Sequence, residues 1–473
     1  MRLEGHIEIC EPGHIAGWAR DLDAPHAPLR LAVHAGRLPL GSCLADQCRA
    51  DLDSAGIGPH GFVFTPPHPL TPAERDCLNI RTEAGDLALF DAYGGAQPNP
   101  FLLPPPPRPA RARFRRCILH IGTEKTGTTS LQRSLALNRE ALMAQGVFVP
   151  ASLAPPDPEG AINHSDLAAL ALADWRLDDP LRLARGITDA PSLARFRAQA
   201  AAALASECAT VPPFCDTILL SSEHCHSRIQ LLHEVAALHG FLAPWVERFT
   251  VLVYLRPQHE LAMSQHAMHL LAGHPDPEFL PELPYPDTHP HPRLTDPIYF
   301  DYDRLLARWS AIFGRDALHP AIYSAADLRE GDIVADVLDR IAVNPQGFVA
   351  PPRLAGNIAA PAQVFLRDLL AIVQGQPEAE WIAGFVTANL RRSAPGPGRL
   401  PSRAHAQAFA RPFEAGNARV RDGWFPHRPR LFTPQYDALP ETETEPALSG
   451  PDTLRLIAGL LTAEARRQNP GFG

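Results

Sequence analysis

The residues best equipped for chemistry stand in one short run, Gly122-Thr-Glu-Lys-Thr-Gly-Thr-Thr-Ser130. An apolar stretch over 117–121 precedes it, and Leu131, Leu135 and Leu142 follow near one face of a helix. A strand, a glycine-containing turn and a helix start together make an anion site, because backbone N–H groups and the helix dipole converge there. Hydroxyls of Thr126, Thr128, Thr129 and Ser130 can add hydrogen bonds, and Lys125 supplies a point charge. Detail decides which anion. A nucleoside-triphosphate loop reads G-x-x-x-x-G-K-[ST]. Gly122 and Gly127 have that spacing, but Thr128 stands where the lysine belongs, and Lys125 comes two residues before the second glycine. No strand-terminal Asp stands out to hold Mg²⁺. A kinase-like loop and a threonine-rich helix cap without a ligand are the competing readings.

The elements around this run change character along the chain. Four consecutive prolines in Leu103-Pro-Pro-Pro-Pro-Arg-Pro-Ala-Arg111 mark a semi-rigid spacer. Before it, residues 5–10, 29–34, 78–81 and 87–90 form short alternating or apolar runs set between Gly and Pro, with a turn at Gly85-Asp86. That pattern predicts a small all-β, sandwich-like unit. After it, apolar strands at 117–121, 217–220 and 250–255 alternate with helices, one of them carrying Leu305, Trp309 and Phe313 at i, i+4, i+8. The expected fold class is therefore α/β: a P-loop-type parallel sheet flanked by helices, preceded by the β unit. The divisions predicted are 1–102 for the β unit, 103–112 for the linker, 113–435 for the α/β domain and 436–473 for a tail with a helix near 453–467. In a parallel sheet, ligands sit beyond the carboxyl ends of the strands.

The Lys125-Thr-Gly-Thr-Thr129 run resembles the 5′-phosphosulfate loop of the sulfotransferases, in particular a bacterial carbohydrate-type group. A second match strengthens the resemblance. The family's 3′-phosphate site is an Arg at a strand end with a Ser one or two helical turns later, and Arg256 and Ser264 fit that arrangement. Blocks at 219–224, 299–302 with Trp309, 313–315, 356–357 with Arg367, 417–420 and 424–426 extend it over about residues 115–433. Gly13-His-Ile-Ala-Gly-Trp-Ala19, Pro28-Leu-Arg-Leu31 and the 49–62 segment resemble an accessory domain seen before bacterial glycosyltransferases and sulfotransferases. The resemblance implies a donor, 3′-phosphoadenosine 5′-phosphosulfate, held by Lys125, Thr126, Gly127, Thr128, Thr129, Ser130, Arg256 and Ser264, with no metal. It implies an acceptor hydroxyl, on a glycan. Lys125 would neutralise the leaving oxygen. The hydroxyl also needs a general base. Glu223 follows a buried strand and projects over its carboxyl end. His224, its neighbour, is a second candidate but would point elsewhere, and His164, in the insert between the first two strands, is a third; relatives use either residue type. Each also has a plain structural reading.

Composition bounds the rest. With 473 residues, 45% apolar and 20% charged, the chain has a globular balance and room for two or three units. A net charge of −9 argues against nucleic acid as partner, so an anionic ligand needs a local cationic site. Eight scattered cysteines without a C-x-x-C suggest a reducing compartment. The start has no apolar signal-like core, and no run reaches the roughly 18 apolar residues of a membrane span, so a cytoplasmic location is expected. His224 with His226, and His289 with His291, lack a zinc ligand pattern. Trp18, Phe62 and Phe64 could stack on sugars but are expected in the β core. A glycan-binding protein with an inactive α/β domain is the remaining alternative.

Overall fold

The computed structural model describes residues 2–82, 112–158, 160–274, 280, 297–352, 357–442, 446 and 448–468. The runs at 85–90, nearly all of the proline linker, most of the 274–297 segment and Gly356 lie outside these.

Among the described residues, the N-terminal unit holds six strands: β1 (Leu3–Glu11), β2 (His14–Asp21), β3 (Leu29–Ala35), β4 (Leu38–Ala45), β5 (Gly61–Phe64) and β6 (Leu78–Thr82). They form two three-stranded antiparallel sheets, in the orders β1-β2-β5 and β4-β3-β6. Alternation drives this: Leu29, Leu31 and Val33 point into a core with Ile15, Phe62, Phe64 and Ile80, while Arg30 faces out. Trp18, Phe62 and Phe64 are buried, so none offers an exposed stacking platform.

The second unit contains β7 (Phe114–His120), β8 (Val147–Phe148), β9 (Thr217–Ser221), β10 (Val246–Leu255) and β11 (Leu318–Ile322). All pair in parallel, in the order β11-β10-β7-β9-β8. The two-residue period sends side chains to opposite faces. Cys117, Leu119, Ile218, Leu220, Val251 and Val253 enter one core with Leu204, Leu238 and Trp309. Ile118, Leu219 and Leu252 enter the other, against Leu131 and Leu135 of the Thr128–Leu137 helix and Val337 of the Ile333–Arg340 helix. Strands buried on both faces read as continuous apolar runs, as β9 does.

A third apolar cluster joins Leu270 to the helices Ala360–Val373 and Ala379–Ser393, and Leu456 and Leu460 of the Gly450–Gln468 helix pack against it. The C-terminal helix, predicted over 453–467, is thus longer and lies against the body of the protein. Among the described residues no helix is long and apolar enough to cross a membrane.

Candidate functional site

The chain leaves β7 at the centre of the sheet, builds β8 and β9 on one side, then β10 and β11 on the other. The carboxyl end of β7 therefore lies at the point where strand order reverses, which is where open parallel sheets leave a crevice. Segments following four strands meet there: the 122–127 loop after β7, Ser222 and Glu223 after β9, Arg256 after β10 and Tyr323 after β11.

The loop is held from below. The Thr123 N–H and hydroxyl both donate to the Tyr254 carbonyl, at 3.1 and 2.9 Å, and the Tyr254 N–H donates to the Gly122 carbonyl at 2.6 Å. Gly122, Lys125 and Gly127 take left-handed φ of +94°, +60° and +77°. Glycine is needed at both ends of the loop. A Cβ on Gly122 would sit 3.2 Å from the Glu223 Cβ, and one on Gly127 would sit 2.9 Å from the Ile333 Cγ2 and 3.2 Å from the Tyr323 hydroxyl. Gly127 caps the Thr128–Leu137 helix, whose first N–H groups have no intrahelical partner.

The threonines divide. The Thr126 hydroxyl, fully buried, donates to the Thr123 carbonyl at 2.7 Å. This bond tightens the turn, and the Thr126 side chain lies inside it. Thr128 is also buried, whereas Thr129 is exposed and Ser130 half-buried.

Lys125 is half-buried. Burial pushes its ammonium below the usual lysine range, Arg256 and Arg391 push the same way, and Glu124 and Glu223 oppose them. The Arg256 Nη1 donates to the Lys125 carbonyl at 2.7 Å and Nη2 to Glu260 at 3.0 Å, while its buried Nε has no partner among the described residues. Its guanidinium lies 5.7 Å from the Tyr323 ring centre, and the Tyr302 hydroxyl donates to its carbonyl at 2.7 Å. Ser264 is half-buried on the Gln258–Leu271 helix, about two turns beyond Arg256.

Two of the base candidates separate. Glu223 is half-buried and takes one bond on each oxygen, from Gln132 Nε2 at 2.6 Å and Asn163 Nδ2 at 3.1 Å. His164 is fully buried. Its Nδ1 accepts from the Ser221 N–H at 3.0 Å, and its Nε2 lies 3.0 Å from the Pro150 carbonyl. Burial lowers it to about 4. The ring thus fastens the 161–165 segment to the end of β9 and places Asn163 on Glu223, with no nitrogen left for a substrate.

Sequence reasoning passed over Glu124, 7% exposed, whose Oε2 accepts from Gln265 and from the Tyr299 hydroxyl, each at 2.8 Å. It also passed over Gln132, Asn163 and Tyr323. Asn163 stands next to His164 and Gln132 two residues after Ser130, but amides carry no pattern of their own. Among the described residues no three His, Cys, Asp or Glu gather as a metal site would require.

Comparison with family models and with curated proteins gives no match. Among solved structures, a sulfotransferase from Alicyclobacillus acidocaldarius aligns with 67% of this chain and 97% of its own, at 14% identity and a TM-score of 0.31. A likeness that distant leaves any functional reading to the geometry of the site.

Proposed function

We propose that this protein is a sulfotransferase that takes its sulfuryl group from 3′-phosphoadenosine 5′-phosphosulfate and passes it to a hydroxyl, on a carbohydrate acceptor as the motif resemblance implies. One observation carries the reading. At the carboxyl end of the central strand, the loop bearing Lys125 is joined by a 2.7 Å bond to Arg256 at the end of the neighbouring strand. Two cationic side chains thereby share one crevice in a chain of net charge −9. The residues fit a bisphosphorylated nucleotide. The helix start offers unpaired N–H groups, and Thr129 and Ser130 are open to a ligand. The buried Arg256 Nε, which has no partner among the described residues, is a donor free for a ligand oxygen.

In this reading the N–H groups at the start of the Thr128–Leu137 helix hold the 5′-phosphate, and Arg256 with Ser264 holds the 3′-phosphate. Glu223 takes the acceptor's hydroxyl proton as the oxygen attacks sulfur. The bond from sulfur to the bridging phosphate oxygen breaks, its electron pair stays on that oxygen, and Lys125 neutralises the charge. Adenosine 3′,5′-bisphosphate leaves. The protein's part is positioning and charge compensation, for which this set of groups suffices without a metal in the step.

Calorimetric titration with adenosine 3′,5′-bisphosphate in the absence of Mg²⁺ tests it. Binding clearly tighter than for adenosine 5′-phosphate, and weakened by Lys125→Ala and by Arg256→Ala, is the expected result. Binding of ATP alone, and only with Mg²⁺, would overturn the reading in favour of a nucleotide kinase.

A further inference from the structure

The carboxylate of Glu124 is enclosed beneath the loop. Its Oε2 takes bonds from Gln265 and Tyr299, the Glu124 N–H faces His226 Nδ1 at 3.5 Å, and His224 Nδ1 lies 4.0 Å from Oε1. Burial works to raise this carboxyl, but the polar groups of Ser227, Gln265 and Tyr299 around it outweigh burial and hold it below the usual range. Burying an anion at this depth is costly unless it is needed and fully bonded. A plain loop could have used an apolar residue here.

The partners show what the charge connects. Glu124 precedes Lys125 in the loop, and Gln265 follows Ser264 on the Gln258–Leu271 helix. One side-chain bond therefore ties the segment proposed for the 5′-phosphate to the helix proposed for the 3′-phosphate. Arg256 makes a second tie, from the helix's leading end to the Lys125 carbonyl. We propose that Glu124 is a positioning residue that locks the two phosphate subsites into one preorganised body, without itself touching the nucleotide. This inference rests on the sulfotransferase reading.

The Glu124 charge also acts on Lys125, with a definite sign. The groups acting on Lys125 are Glu124 and Glu223, which favour its charge, and Arg256, Arg391 and burial, which oppose it. Removing the Glu124 charge removes a favourable partner, so Lys125 loses its proton at lower pH. The alkaline fall in anion affinity then moves to lower pH. A residue that only supported the fold would weaken binding without moving that limb.

The test is calorimetry of the full chain with adenosine 3′,5′-bisphosphate and with adenosine 5′-phosphate across the alkaline range, using Glu124→Gln and Gln265→Met. For Glu124→Gln, bisphosphate affinity should fall about tenfold, and its alkaline limb should shift to lower pH. Gln265→Met keeps the charge and cuts the tie. It should reduce the preference for bisphosphate over monophosphate and leave the limb in place, and it serves alone if Glu124→Gln does not fold. An unchanged bisphosphate affinity in a folded Glu124→Gln, or an unchanged preference in Gln265→Met, overturns the inference while the sulfotransferase reading stands. Failure of the unsubstituted chain to bind bisphosphate overturns both.

Discussion

Gly127 is where a single added methyl tests the loop most sharply. Alanine there must hold φ near +77° and push on Ile333 and Tyr323. The backbone penalty alone is about 1–2 kcal/mol. Gly127→Ala should lower the urea midpoint and abolish measurable bisphosphate binding, and parental values for both would show that the loop tolerates a different path. The buried histidines give a second residue-scale expectation. Burial pushes His120, His164 and His226 each down to about 4. The unfolded chain takes up these protons below about pH 6.5, but the folded chain refuses them until pH approaches 4. Below about 6.5 the unfolded state therefore binds more protons, and stability is lost as pH falls toward 4. Urea midpoints should be flat above pH 7 and drop steeply between pH 6.5 and 4.5; a midpoint unchanged at 4.5 would contradict neutral buried imidazoles. The loop was legible in the sequence because its chemistry is local, with lysine, glycines and hydroxyls inside nine residues. His164 was not, because a histidine in an insert looks the same whether its ring faces a substrate or, as here, two backbone groups.

At the scale of elements, what the sequence announced was periodicity. The apolar run 218–220 of β9 and the alternating β3 were visible because burial on two faces or one leaves a direct imprint on residue type. β8 was invisible, being two residues long, and so was the order in which the strands pair. Contacts that assemble the site also lie far apart in sequence: Glu124 with Tyr299, Gln132 with Glu223. The segment carrying Asn163 and His164 shows how an element can serve a site without entering it. His164→Ala removes the ring that pairs the Ser221 N–H and the Pro150 carbonyl, leaving a cavity and unpaired buried groups. A loss of about 2–4 kcal/mol is expected. Glu223→Gln, in contrast, should leave bisphosphate binding at neutral pH near that of the parent and remove the proposed sulfuryl transfer. Chemical denaturation and a transfer assay on the pair read the difference: retained transfer in Glu223→Gln would reassign the base, and a stable His164→Ala would deny the fastening role.

Over the whole molecule, the question is whether the β unit is a module on a tether or part of the working body. The proline linker suggests a tether, but the fold joins the two units through a buried charge cluster. Asp76, at the end of the Pro72–Asp76 helix of the β unit, takes bonds from Arg304 Nε at 2.7 Å and Nη2 at 2.6 Å and from Arg308 Nη1 at 3.0 Å. Arg308 is 1% exposed, so its charge has no recourse to water. Gly36 of the β unit approaches Ala311 so closely that a Cβ would lie 3.3 Å from it. Both arginines lie on the Tyr302–Phe313 helix, whose first residue holds the Arg256 carbonyl. Breaking a buried ion pair from one side costs about 3–5 kcal/mol, since the other charge stays buried and uncompensated. Asp76→Ala should therefore destabilise the α/β unit, which does not contain the substitution, and weaken bisphosphate binding through Tyr302 and Arg256. Asp76→Ala combined with Arg304→Met and Arg308→Met should recover part of the lost stability, because no unpaired charge remains. If Asp76→Ala unfolds within about 0.5 kcal/mol of the parent and binds bisphosphate equally well, the β unit is a passenger. If the triple variant regains stability but not affinity, the arginines serve the proposed donor site as well as the interface.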